Sequence, residues 1–201
     1  RTRGTPAGFT AAIDTAAPTA PTGLVVPDDG SHVTGSAEAG STVTITDSNG
    51  APIGSATTGA DGKFNVTINP PQVNGETLEA TATDPAGNSR GQSSVTAPDH
   101  TAPSIPIITE LLDDVGTITG PIANNGVTND TQPMLTGTGE SGDTITIFDK
   151  GVQIGQVTVG NDGKWSFTPG TPLTESEHAL TVQQSDAAGN KSPLVTGPTF
   201  T

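Results

Sequence analysis

Cysteine is absent from this chain of 201 residues, and so is tyrosine. The first absence excludes disulfide staples, thiolate zinc sites and cysteine nucleophiles. Other aromatic residues are scarce, with 5 Phe and 1 Trp, too few for a broad exposed aromatic patch that grips a partner. Basic residues number 7 against 21 acidic ones, a formal net charge of −14. That balance repels phosphate backbones and anionic lipid headgroups, so nucleic acid and membrane surfaces are poor partners, while divalent cations are good ones. No apolar run approaches the roughly 18 residues that cross a bilayer as a helix. The opening Arg1-Thr2-Arg3-Gly4 lacks the apolar stretch of a secretory signal.

What the chain does contain is turn chemistry and alternation. Its 26 Gly and 17 Pro, with abundant Thr, are too turn-rich for helices and too regularly patterned for disorder. Apolar residues recur with a period of two. Val43 and Ile45 alternate with Thr42, Thr44 and Thr46, as Ile145 and Ile147 do with Thr144 and Thr146. Phe64, Val66 and Ile68 line one strand face, answered by Trp165 and Phe167; Leu78, Ala80 and Ala82 line another, answered by Leu180 and Val182. Turns fall between them at Ser48-Asn49-Gly50, Ala60-Asp61-Gly62 and Asn161-Asp162-Gly163.

These matches belong to a repeat as long as a domain. Asp14-Thr15-Ala16-Ala17-Pro18 opens a stretch closing on Asp84-Pro85-Ala86-Gly87-Asn88, and Asp99-His100-Thr101-Ala102-Pro103 opens one closing on Asp186-Ala187-Ala188-Gly189-Asn190. Each copy supplies about seven short strands, the pattern of an antiparallel sandwich. The expected fold is all-β: two tandem immunoglobulin-like sandwiches over residues 14–98 and 99–201. Residues 1–13, with Phe9-Thr10-Ala11-Ala12-Ile13, read as the end of a preceding repeat or an appended tail. The offset from Asp14 to Asp99 is 85 residues, while that from Glu38 to Glu140 is 102, so the second copy holds 17 extra residues. They fall between its first and second strands, in a loop that includes Asp113, Asp114 and Asp130.

Acidic residues repeat with the frame. In a sandwich of this kind one pole carries the incoming chain, the loop after the second strand and the last hairpin. Asp14, Glu38 and Asp84 are expected together at that pole of the first domain, and Asp99, Glu140 and Asp186 at that pole of the second. Carboxylates gathered without Lys or Arg repel one another, and a hard cation with six to eight oxygen ligands relieves the repulsion. Asn88, Asn190 and backbone carbonyls are candidates to complete the shell. Adjustable loops favour calcium over magnesium. Asp113, Asp114 and Asp130 form a further candidate set, and Asp28 and Asp29 a weaker one at the far pole. The competing reading is that an Asp beside Gly or Pro merely closes a turn. It is the preferred account of Asp47, Asp61, Asp149 and Asp162, and it stays open for Asp84 and Asp186.

Reaction chemistry finds no foothold. His32, His100 and His178 stand alone, without zinc-ligand spacing, and are best explained as surface or strand residues. Neither a nucleophile elbow nor a phosphate-cradling glycine loop occurs. Neither the EF-hand loop nor the nonapeptide calcium repeat is present. The acids cluster at poles, where no cleft for glycoside hydrolysis is implied. Trp165 aligns with Phe64 and is expected in the core. The chain is read as non-enzymatic.

Taken as a set, these motifs resemble the bacterial immunoglobulin-like repeats of giant secreted biofilm adhesins of the Bap type. Asn74-Gly75-Glu76-Thr77-Leu78 and Val95-Thr96-Ala97-Pro98-Asp99 carry much of the likeness in the first copy. The second copy, with Asp113-Asp114-Val115-Gly116 and Asn129-Asp130-Thr131-Gln132-Pro133, is similar to repeats of related large non-fimbrial adhesins. The resemblance covers about residues 14–201. It implies a stalk segment exported by type I secretion, held at the bacterial cell surface and stiffened by Ca2+ at junctions between neighbouring repeats. It implies too that a distal module does the adhering, in support of biofilm formation, and that this segment is monomeric on its own. Under the resemblance the ligands are Asp14, Glu38, Asp84, Asp99, Glu140, Asp186, Asp113, Asp114 and Asp130. The rival expectation is a module that itself recognises host glycan or protein, or pairs with its own kind between cells.

Overall fold

The computed structural model describes residues 13–201, apart from Ile118 and the side chain of Arg90. Of the strand expected at Phe9–Ile13, residues 9–12 lie outside the described residues. The chain divides into two compact units, one ending at Asp99 and the other beginning at His100.

Period-two alternation makes the strands of the first unit: β1 (Thr22–Val25), β2 (His32–Ser36), β3 (Thr42–Thr46), β4 (Pro52–Thr57), β5 (Lys63–Thr67), β6 (Thr77–Thr83) and β7 (Ser89–Thr96). They form two antiparallel sheets, in the orders β1-β2-β5 and β4-β3-β6-β7. Successive side chains point to opposite faces, so one set from each strand meets between the sheets. Val33, Phe64 and Val66 from one sheet pack against Val43, Ile45, Leu78, Ala80 and Ala82 from the other. Register matches large to small, with Val43 opposite Ala82 and Ile45 opposite Ala80. Burying each large apolar side chain contributes about 1.5–3 kcal/mol.

The second unit repeats the plan with β8 (Ile107–Asp113), β9 (Gly120–Pro121), β10 (Met134–Thr138), β11 (Thr144–Asp149), β12 (Val152–Thr158), β13 (Lys164–Phe167), β14 (His178–Ser185) and β15 (Val195–Phe200). The sheet orders are β13-β10-β8-β9 and β12-β11-β14-β15. Leu111, Leu135 and Trp165 meet Ile145, Ile147, Leu180 and Val182 between them. Trp165 is buried at the level of Phe64, and room for its indole comes from Gly137. A Cβ there would lie 2.3 Å from the ring and 2.1 Å from the Ile107 carbonyl oxygen.

The 17 extra residues are structured. Strand β9 pairs with the end of β8. Farther on, Asn125 N–H donates to Thr199 O, Thr201 N–H to Gly126 O and Thr128 N–H to Thr201 O, and Gly126 bridges Phe200 in parallel. The insertion therefore runs along the end of the last strand and occupies its free edge.

Turns at one pole of each unit are tied together. Ala37 N–H donates to Gly62 O and Gly40 N–H to Thr58 O, joining the β2–β3 and β4–β5 turns. Gly139 to Gly163 and Gly142 to Val159 repeat this in the second unit.

Candidate metal centres

At the pole of the first unit, the β6–β7 hairpin is closed by its own acid. Asp84 Oδ1 accepts the Asn88 backbone N–H at 2.8 Å, and Oδ2 accepts the Asn88 side-chain amide at 2.9 Å. That amide also donates to the Asp14 carbonyl oxygen at 3.1 Å, which brings the incoming chain to the hairpin. The Asn88 side chain, more than any other group, holds the Asp84 carboxyl below its usual range, against the opposing effect of burial. The Asp14 carboxylate turns back to its own Ala16 N–H at 2.9 Å. Glu38 is exposed, and its carbonyl takes the Ser41 N–H and hydroxyl to close the β2–β3 turn.

The second unit repeats the hairpin and tightens the pole. Asp186 accepts the Asn190 backbone N–H and side-chain amide, each at 2.8 Å, and the latter bond dominates in lowering its pKa. Glu140 takes the Ser104 backbone N–H at 2.7 Å, binding the incoming chain directly. That bond does most to lower the Glu140 pKa, while the negative charge of Asp186 nearby pushes it the other way. Glu140 and Asp186 therefore feel each other. Asp99 closes the first unit, where it forms an isolated bridge with Asn74.

The insertion buries its acids. Asp113, at the end of β8, is 9% exposed and Asp130 is 6% exposed. Thr128 joins them: its hydroxyl donates to Asp113 Oδ2 at 2.6 Å and accepts the Asp130 N–H at 3.0 Å. Asp113 Oδ1 also accepts the Val115 N–H, and Asp130 Oδ1 the Gln132 N–H. The Asp114 N–H points to Asp130 Oδ2 at a long 3.5 Å, while the Asp114 side chain stays exposed. The Thr128 hydroxyl is the main cause of the lowered Asp113 pKa.

The sequence-derived sets thus come together unevenly. Asp113 and Asp130 meet around Thr128, with the Asp114 backbone beside them. Glu140 sits near Asp186, and the Asp14 backbone reaches the Asp84 hairpin. Among the described residues, no three Asp, Glu or His side chains gather in ligand geometry. For calcium, the donor chemistry of the Asp113–Asp130 region fits: two buried carboxylates and a hydroxyl, with no Lys or Arg paired to either acid among the described residues. A hard cation there would be held by the Asp113 and Asp130 carboxylates. The pole pairs offer oxygens of the same kind, with Asp84 equally buried but Asp14 and Glu140 exposed.

Turn closure explains four of the remaining aspartates. Asp47 caps Asn49 and Ala51, Asp61 caps Lys63, Asp162 caps Lys164 and Asp29 caps Ser31. Two sequence readings need correction. Asp149 lies in strand β11 rather than in a turn, and His178, a strand residue as expected, does not stand alone: the two form a part-buried pair at 2.7 Å. The signal lay in the repeat, where His178 replaces Glu76 and faces the counterpart of Asp47. The Asp143–Gln184 bond at 2.8 Å was missed for the same reason, because Ala82 stands where the second copy has Gln184.

A cavity of about 550 Å³ beside Trp165 is lined by Thr136, Thr138, Asp162 and Lys164. Its one carboxylate stands with a lysine, so it offers no cation donor set.

The family model described as Bacterial Ig domain matches residues 17–99, and that described as Bacterial Ig-like domain matches residues 104–200. None of the curated proteins compared matches the sequence. Among solved structures, "Biofilm associated protein - BSP domain" is 24% identical at a TM-score of 0.36, covering 90% of this chain and 29% of its own. "Crystal structure of tetra-tandem repeat in extending region of large adhesion protein" is 21% identical at 0.36, covering 87% and 47%. The fibronectin(III)-like modules of Clostridium thermocellum CbhA are 17% identical at 0.33, covering 85% of each chain. The chain spans less than a third of the first of these and under half of the second. At such scores the assignment rests on the two family models, which between them take in nearly all of both sandwiches. The chain belongs to the bacterial immunoglobulin-like domain families, as two such domains in tandem.

Proposed function

We propose that this pair of domains is a non-catalytic extender segment of a bacterial cell-surface adhesin, a spacer that supports cell adhesion and biofilm formation by carrying a distal adhesive module outward. Export by type I secretion, an extracellular setting and contact with neighbouring repeats of the same chain belong to the same reading. Its support is the family membership together with the motif set that resembles biofilm adhesin repeats. The composition agrees, since few aromatics and no disulfides leave thin cores that gain from an added ligand.

The ligand in this reading is Ca2+. The observation that carries it is the Asp113–Thr128–Asp130 arrangement, two buried acids with no basic partner among the described residues. Glu140 with Asp186, and Asp84 with the Asp14 carbonyl, are the secondary candidates. Affinity of order 10⁻⁴ to 10⁻³ M, typical of extracellular modules, fits sites filled outside the cell and empty in the cytosol during export.

Isothermal titration with Ca2+, run beside Asp113→Asn and Asp130→Asn variants, tests this. Wild-type binding that is lost in the variants supports the site. No heat and no change in melting in millimolar Ca2+ rules it out.

A further inference from the structure

His178 is 5% exposed, and its ring is held from both sides. Nδ1 lies 2.7 Å from Asp149 Oδ2, and Nε2 lies 2.9 Å from the Thr174 carbonyl oxygen. Asp149 Oδ1 meanwhile accepts the Ala179 N–H at 2.9 Å. A backbone carbonyl cannot donate, and neither can a carboxylate. A neutral imidazole has one N–H and one lone pair, so either tautomer would set that lone pair against an oxygen that already lies within hydrogen-bond distance of it. With Asp149 ionised, only the doubly protonated ring satisfies both contacts. The Phe200 ring, 5.2 Å away between centroids, covers it and favours a cation.

The contact to Thr174 closes a strap, residues 168–177, that links β13 to β14. Its other ties are Leu173 N–H to Thr131 O at 2.8 Å and Gln132 Nε2 to Pro169 O at 2.7 Å, both at the base of the insertion. We propose that His178, held as an imidazolium between Asp149 and the Thr174 carbonyl, is a pH-dependent clamp that fastens this strap across the second domain. When the ring loses a proton, one of its contacts becomes a repulsion between lone pairs, and the strap loosens beside a cavity of about 430 Å³. Of the charged groups nearby, Asp149 contacts the ring, Asp130 from the insertion and Glu175 on the strap line the same cavity, and Lys150 and Glu177 adjoin Asp149 and His178 in sequence. Strand β15 contributes Phe200 and no charge. The first domain has no such clamp, since Glu76 stands where His178 does.

The test uses the full chain with a chelator present, so that no cation at the acidic sites enters. Trp165 is the single tryptophan and lies in the second core, so its fluorescence reports that domain alone. Thermal unfolding is followed at about pH 5.5 and about pH 8.5, above the carboxylate range and across the interval in which a free imidazole loses its proton. The wild-type midpoint is expected to be about 4–8 °C lower at the higher pH. His178→Gln should melt alike at both, while His100→Gln should keep the wild-type difference. Equal wild-type midpoints overturn the proposal, as does a His100→Gln variant that removes the difference. Imidazole ¹⁵N spectra of the wild type at the lower pH provide a second readout that needs no variant: both ring nitrogens protonated supports the clamp, and a single-proton tautomer rejects it.

Discussion

At the scale of single residues, the recurrent Asp-x-Ala-Gly-Asn ending has a local explanation independent of any ion. Asp84 and Asp186 each take two hydrogen bonds from the Asn four residues on, and so lock their hairpins. The Asn side-chain amide lowers both carboxyl pKa values, and the sign of the linkage follows. A group whose folded pKa is depressed adds stability above the ordinary carboxylate range, and that stability is lost as pH falls through the lowered value. The second domain, followed by Trp165 fluorescence, should therefore melt at progressively lower temperature as pH drops below about 4. Asp186→Asn should shrink that slope, because it removes the ionisable group; an unchanged slope would contradict the assignment. Thr128→Ala removes the hydroxyl shared by Asp113 and Asp130. It should raise the Asp113 pKa, read from the side-chain carboxyl ¹³C titration.

At the scale of elements, the two copies differ where a strand must make room. Gly137 on β10 faces the Trp165 indole across the ladder, as Gly35 on β2 faces the Phe64 ring. Since a Cβ at position 137 would meet the Ile107 backbone as well as the ring, neither neighbour can simply rotate away. Gly137→Ala should destabilise the second domain by about 1–3 kcal/mol through overpacking, measured by denaturant titration. The indole gains no hydrogen bond in return: Trp165 Nε1 is buried without a partner in the protein. Trp165→Phe, which copies the first domain, should change stability by less than about 1.5 kcal/mol when followed by circular dichroism. A larger loss would show that the indole shape is needed.

At the scale of the whole molecule, the two hydrophobic cores share no residue. Leu78→Ala should cost the first domain about 2–5 kcal/mol. It should shift the ellipticity transition and leave the Trp165 fluorescence transition in place. Ca2+ in the millimolar range should raise the fluorescence midpoint, and Asp130→Asn should abolish that rise. The architecture behind these expectations was largely legible beforehand. Val43, Ile45, Phe64, Val66, Leu78, Ala80 and Ala82, and their counterparts, are core because alternation can bury only one face of a strand. Repetition of the motifs divided the chain, and the change of offset located the insertion between β8 and β10. The sequence alone thereby determined two sandwiches, their cores and the loops that carry acid. Only the tertiary structure decided which acids meet. Asp113 and Asp130 converge because the insertion folds back along β15, and Glu140 reaches Ser104 because the incoming chain crosses its turn. His178 finds Asp149 across neighbouring strands, 29 residues away. Alternation records which face a side chain takes, a local property of the backbone. The partner that satisfies a buried polar atom depends on how loops close in space, and that is fixed only when the sheets pack.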